Sequence, residues 1–167
     1  MIDKQVQRKA FLDLISWAEG TSTHPLTRCG GYDVIVYGRD MVPEIFTDFS
    51  THPFANGRPG KVFNSRGQRS TASGRYQFLV KHWEHYKKQL KLPDFGPESQ
   101  DKWALQLIRE RKALEDIDSG RIHAAIIKVS NIWASFPANN YKQSPKTVEK
   151  LIAKFKELGG IVTDGYM

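Results

Sequence analysis

Glu19 is the residue whose position best suits it to proton chemistry. It follows a segment in which Val6, Ala10, Leu14 and Ala18 recur at helical spacing with Phe11, Ile15 and Trp17 alongside. It precedes Gly20, a helix-stopping residue. A carboxyl group at the end of a helix faces the negative pole of the backbone dipole, and the neighbouring Trp17 indole can exclude water from it. Both effects disfavour the ionised form and raise the pKa, which suits a general acid. A helix-end glutamate is more often simply solvated, so the assignment needs support from elsewhere in the chain. Other reactive side chains offer less. His82 and His85 lie three apart, without the His-Glu-x-x-His spacing of a zinc site, and project off the face marked by Leu79 and Trp83; they read as surface histidines. Cys29 and His24 form no recognised ligand set, so no metal is expected.

Aromatic rings beside amides are a means of gripping sugars, because an apolar pyranose face stacks on a ring while its hydroxyls need donors and acceptors. Two segments have this character: Arg75, Tyr76 and Gln77 in ASGRYQFL, and Asn131, Trp133 and Tyr141 in SNIWASFPANNY. Taken singly, Tyr76 and Trp133 are more often core residues; the polar neighbours Gln77 and Asn131 tilt both segments towards a cleft.

The elements that must position these residues follow from spacing. The first helix is predicted to end at Glu19. Tyr32 to Tyr37 and Ile45 to Phe49 are β-branched and aromatic and flank Gly38 and Pro43, which predicts a β-hairpin with a long tip. Between Phe49 and Trp83 there is no acidic residue, whereas Arg58, Lys61, Arg66, Arg69, Arg75 and Lys81 are cationic. This reads as a basic loop leading into a helix with Leu79, Trp83, Tyr86 and Leu90 on one face, capped by Ser70, Thr71 or Ser73. Pro97 opens another helix, with Ala104, Leu107 and Ile108 inward. Asp118 or Ser119 is expected to cap a third, carrying Ile122, Ala125, Ile126 and Val129. After a loop from Ser135 to Lys146, a last helix is expected to start near Ser144 and Pro145, bury Val148, Leu151, Ile152 and Phe155, and stop at Gly159 and Gly160. The expected fold class is α+β: one mostly helical domain over residues 1–167 with a small antiparallel hairpin sheet.

Composition bounds the partners. The chain has 167 residues, 40% of them hydrophobic, enough for a core without disulfide or metal staples. Twenty-five Lys and Arg against 18 Asp and Glu give a net charge of +7, which attracts nucleic acid, anionic lipid or an acidic cell wall. The lone Cys29 makes no internal disulfide, which favours synthesis in a cytoplasm. The apolar residues near the N-terminus follow helical spacing and form no block, so no signal peptide is expected. No run approaches the roughly 18 apolar residues of a membrane span, and no stable membrane association is expected. No helix-turn-helix or zinc pattern supports nucleic-acid binding, and none is expected.

The segments QRKAFLDLISWAEGT, GYDVIVYG, FTDFSTHP, ASGRYQFL, SNIWASFP and LIAKFKELGG, in this order from about Gln7 to Gly160, resemble the bacteriophage lambda endolysin family, glycoside hydrolase family 104. The resemblance implies a lysozyme-like fold that needs no metal or cofactor. It implies a lytic transglycosylase that cuts the β-1,4 bond between N-acetylmuramic acid and N-acetylglucosamine in peptidoglycan and leaves 1,6-anhydro ends. Glu19 falls on the family's catalytic glutamate. Gln77, Asn131 and Trp133 fall in its saccharide cleft, and Tyr32, Asp33, Tyr76 and Tyr141 complete the expected sugar contacts. A holin would release the enzyme, expected to be a monomer, from the host cytoplasm to the wall. The alternative is a hydrolysing muramidase with Asp33 or Asp48 as second carboxylate; the plainer reading is that Asp33 organises the turn after Gly31 and Asp48 bonds nearby backbone. A wall-binding module without catalysis is a further option. The chain departs from the family pattern in a longer hairpin tip, Tyr37 to Glu44, in a longer basic loop before Ser73, and in Ala138, Asn139 and Asn140, where relatives tend to carry glycine.

Overall fold

A computed structural model describes residues 1–137 and 147–164. It has six α-helices among these residues: α1 (Lys4–Glu19), α2 (Trp83–Leu90), α3 (Pro97–Glu110), α4 (Leu114–Asp118), α5 (Ile122–Val129) and α6 (Val148–Glu157). Two antiparallel hairpins, β1 (Val34–Ile35) with β2 (Glu44–Ile45) and β3 (Lys61–Val62) with β4 (Arg69–Ser70), make the fold α+β. The chain divides into two compact units, Gly20–Trp103 and the remainder, Met1–Glu19 with Ala104–Met167.

In the unit formed by both ends of the chain, α1 packs on α4 and α6, and α5 on α4 and α6. Asp3 starts α1 by accepting the backbone N–H groups of Gln5 and Val6 on one carboxylate oxygen. The buried stripe runs through Gln7, Ala10, Phe11, Leu14, Ile15 and Ala18, with Phe11 edge-on to Phe136 and Phe155 at 5.9 and 6.3 Å. Val6, expected inward, is exposed, because the stripe passes through Gln7 instead. The Gln7 amide donates to the carbonyls of Ile117 and Ile161 and accepts the N–H of Ile161, so one buried side chain satisfies three backbone groups. Arg8 forks onto Asp118 at 2.8 and 2.9 Å and ties α1 to the end of α4.

The expected cap of α5 is also corrected. Neither Asp118 nor Ser119 caps it; Asp164 supplies both carboxylate oxygens to the N–H groups of His123 and Ala124, each at 3.0 Å. Thr147 caps α6 by accepting from Lys150. The expected start at Ser144 and Pro145 lies outside the described residues. Leu151 and Phe155 are buried and Val148 and Ile152 half-buried, and Gly159, at φ +99°, follows the helix end.

In the Gly20–Trp103 unit, Phe78 stacks on Trp103 with centroids 4.0 Å apart, and Trp83, Tyr86 and Phe95 close around them. His52 is wholly buried at their edge; its Nε2–H donates to the Phe78 carbonyl and its Nδ1 accepts from Phe54. The first hairpin pairs as expected, yet each strand is only two residues long. The acid-free stretch expected as a loop folds into the second hairpin. Its register was hidden because exposed arginines and asparagines interrupt the alternation. The helix expected to start at Ser70 to Ser73 begins later, as a 3-10 turn over Val80–His82 that leads into α2. Thr71 still serves that turn, since its hydroxyl accepts the Val80 N–H from nine residues upstream. His82 and His85 are exposed.

Burial pushes the His52 imidazole down to about 4, against the opposing effect of its bond to Phe78. The neutral ring is the form the fold accommodates, so its contribution is complete above the ordinary histidine pKa and is lost as pH falls from about 6.5 to about 4. The loss is on the order of 3 kcal/mol. Denaturant titrations across this window are expected to give a flatter pH dependence for His52→Gln, which keeps a donor for Phe78, than for the parent.

Candidate active site

Glu19 ends α1, and Gly20 follows at φ +81°, a left-handed conformation that lets the chain leave the helix directly behind the carboxyl group. Within the same unit Ser135 donates its hydroxyl to Glu19 Oε2. Burial is the largest influence on this carboxyl and raises its pKa above the ordinary glutamate range; the Ser135 hydroxyl and backbone partly offset it by hydrogen-bonding to the charged form. The raised pKa expected from sequence is therefore present, with desolvation as its main cause. Trp17 is half-buried and carries the Lys154 ammonium 5.3 Å over its ring. Ser135 lies 116 residues from Glu19, and nothing in local spacing announces the pairing. Of the other residues expected in this unit, Asn131 is exposed in the turn after α5, whereas Trp133 is 3% exposed and packs on Phe136. Tyr141 lies outside the described residues.

The Gly20–Trp103 unit builds a second cluster on the Gly74-Arg75-Tyr76-Gln77 turn. Ser73 and Phe78 exchange backbone hydrogen bonds at its base, and Gln77 closes it with a left-handed backbone, φ +56°, its N–H and side-chain amide both donating to the Gly74 carbonyl. Buried Gln100 staples the turn: its amide donates to the carbonyls of Tyr32 and Phe95 and its oxygen accepts the Arg75 N–H. Gly74 is required there, since a Cβ would sit 2.4 Å from the Gln100 oxygen and φ is +84°. Thr21, two residues after Glu19, donates its hydroxyl to the Arg75 carbonyl at 2.6 Å.

Asp101 accepts both tyrosine hydroxyls, Tyr32 at 2.8 Å and Tyr76 at 2.6 Å, while the Arg75 guanidinium lies 5.1 Å over the Tyr32 ring. Burial, with the Asp101 charge second, pushes the Tyr32 phenol up to about 12 and raises that of Tyr76 as well. Both stay neutral donors at any physiological pH. Gln100 and Asp101 were not singled out in the sequence, because a Gln-Asp pair in the first turns of a helix has no distinctive spacing.

Two of the expected sugar contacts are placed as supports. Tyr76 is 0% exposed and held by Asp101. Asp33 is 2% exposed; it accepts the Thr27 hydroxyl at 2.5 Å and the Arg28 N–H at 2.9 Å, and so organises the turn before it. Tyr32 and Gln77 are half-buried. Asp48 is exposed and accepts the Ser50 N–H, which with the Ser50 hydroxyl holds its carboxyl below the usual range. Among the described residues no cluster of His, Cys, Asp and Glu is disposed to hold a metal ion.

A carboxyl whose folded-state pKa is raised favours the protonated form, so its contribution to stability is greatest at low pH and is lost as pH rises through the folded value. Glu19→Gln removes that burden and can still accept from Ser135. It is expected to melt at or above the parent temperature at pH 7, with the gap closing below the ordinary carboxylate range. Calorimetry at the two pH values measures this; a large destabilisation at pH 7 would show that the ionised carboxylate is held for structure.

The sequence is similar to known proteins along nearly all its length. A family model described as Endolysin matches residues 9–162. The endolysin of Escherichia phage P2 is 60% identical over 152 residues, 91% of this chain and 92% of that protein. The endolysin of Escherichia phage lambda is 50% identical over 165 residues, 98% of each. A solved structure of bacteriophage lambda lysozyme complexed with a chitohexasaccharide has a TM-score of 0.83 at 49% identity, covering 98% of this chain and 100% of that one. A glutamate of raised pKa at the end of the first helix, a stapled GRYQ turn, and this breadth of similarity agree: the chain belongs to the phage endolysin family.

Proposed function

We propose that this endolysin cleaves the glycan strands of peptidoglycan as a lytic transglycosylase, with Glu19 serving first as acid and then as base. The observation that carries the reading is the division of labour among carboxylates. Glu19 has a raised pKa and a hydroxyl donor on one oxygen, whereas Asp33 is buried and committed to Thr27 and Arg28, and Asp48 is exposed and bonded to Ser50. A hydrolase of the usual kind needs two working carboxylates. One suffices when the nucleophile belongs to the substrate. The chitohexasaccharide bound by the related lambda lysozyme supports an oligosaccharide strand as the ligand.

In this scheme neutral Glu19 gives its proton to the bridging oxygen between N-acetylmuramic acid and N-acetylglucosamine as the bond to the anomeric carbon breaks. Ser135 then stabilises the carboxylate that results. The carboxylate takes the proton of the muramic 6-hydroxyl as that oxygen bonds to the same anomeric carbon. The proton returns to Glu19 and no water is consumed. Holding the attacking hydroxyl within the substrate replaces a positioned water through effective molarity. The enzyme would work as a monomeric catalytic domain, reaching the wall from the host cytoplasm once a holin opens the membrane.

Digestion of purified wall followed by mass spectrometry is expected to give 1,6-anhydro ends, lighter than reducing ends by one water and inert to borohydride. Predominantly reducing ends would promote Asp33 or Asp48 to a catalytic role. In the same assay Glu19→Gln is expected to lose more than about tenfold in rate, a barrier rise above roughly 1.4 kcal/mol.

Ser135→Ala removes a donor that favours the charged carboxylate, so the Glu19 pKa should rise further and the alkaline limb of the pH–rate profile should move to higher pH. A profile that only drops in height would show that Ser135 does not tune the acid.

A further inference from the structure

The net charge of +7 is not displayed by the basic stretch before Trp83, which engages most of its own cations. Arg58 and Lys61 are paired with Glu44, the Arg66 guanidinium donates to Gln68, and that of Arg69 to the Gly60 carbonyl. Cations without such partners collect instead on the segment Val80–Lys91, which comprises the 3-10 turn, α2 and the residue that caps it. Trp83 and Tyr86 form its buried face, while Lys81, His82, His85, Lys88 and Lys91 are exposed. Among the described residues no acceptor meets the ammonium of Lys81, Lys88 or Lys91. Glu84, the one acidic residue of the segment, pairs with none of them.

Helix stability does not account for this pattern. Lys81 and His82 stand at the start of α2, where the backbone dipole repels cations. Lys91 caps the helix in the left-handed region at φ +54°, a conformation that glycine adopts without strain. Burial, and then the charges of Lys81 and His85, push the His82 imidazole below its ordinary value, so the field over this face is positive. Lys81, His85, Lys88 and Lys91, spaced by four, three and three residues, fall along one side of the segment over about 15 Å. An extended peptide of about five residues covers the same length. None of the exposed large apolar side chains lies in the segment, which disfavours insertion into lipid. The carboxylate-bearing stem peptides of peptidoglycan match it in both charge and length. We propose that the exposed side of Val80–Lys91 binds those carboxylates, a contact that rests on the glycan-cleaving reading and gives the substrate a charged hold apart from its sugars.

Co-sedimentation in the cold with purified peptidoglycan sacculi tests this, using the full chain with Glu19→Gln so that the sacculi stay whole. Untreated sacculi are compared with sacculi whose carboxyls are converted to neutral amides by carbodiimide and ethanolamine. The protein is expected to bind the untreated wall, to be released by salt, and to bind the neutralised wall markedly less. An exposed ion pair adds at most about fivefold to binding. Lys81→Gln with Lys88→Gln should therefore weaken binding to untreated sacculi roughly five- to twentyfold, and hardly change it on neutralised ones. Lys4→Gln with Lys150→Gln removes the same charge from exposed positions of the other unit and should weaken binding less than about twofold. Circular dichroism checks the fold of each variant. Equal losses from the two pairs would overturn the proposal by reducing the effect to net charge. So would undiminished binding to the neutralised wall, or tighter binding to phosphatidylglycerol vesicles that the first pair of substitutions abolishes. The readout is attachment, so reducing ends among the parent's products would remove the transglycosylase reading and leave this comparison intact.

Discussion

A carboxyl group at a helix end is costly to take partly out of water, and the helix that carries it must be held in place by its packing. Everything around α1 serves that constraint. Gln7 anchors one end through three backbone bonds, Arg8 forks onto Asp118, and the aromatic contacts of Phe11 fix the roll of the helix. Burying Glu19 costs stability when it is ionised. Ser135 offsets part of that cost by donating a single hydroxyl to the charged form.

The Gly20–Trp103 unit solves a different problem, holding a four-residue turn rigid. Its solution is to bury side chains that look fit for binding. Tyr76 and Asp33 spend their polar groups on Asp101, Thr27 and Arg28, and Gln100 accepts the Arg75 N–H of the turn while donating to the carbonyls of Tyr32 and Phe95. Their chemistry is structural in this arrangement, and it leaves Arg75 and Gln77, the latter in its left-handed conformation, as the members of the turn that remain partly open to solvent. Preorganisation of this kind lowers the ordering cost when a ligand binds.

Much of this was legible in the residues. The apolar spacing of α1 and the glycine after Glu19 marked the end of the first helix, and the proline marked the start of α3, because each reflects a local backbone preference. What spacing could not supply were partners distant in sequence: Ser135 for Glu19, Asp164 for α5, Asp101 for two tyrosines. A polar residue chosen to satisfy a buried group in another element leaves no periodic trace. Val6 and Gln7 make the point most sharply. Hydropathy favours valine inside, yet three unsatisfied backbone groups outweigh one exposed methyl pair, and the amide took the buried place.

The tail that answers Gln7 has a consequence in time. Ile161 is 154 residues from Gln7, and Asp164 caps α5 across 41 and 40 residues. On a ribosome the helix that bears Glu19 is made long before the Ile161 carbonyl and N–H that Gln7 meets. Until then the Ile117 carbonyl is the one of its three backbone partners already made, and α5 lacks its cap. Contacts so far apart in sequence form late. A unit built from both segments cannot be completed until residues 161–164 have been made.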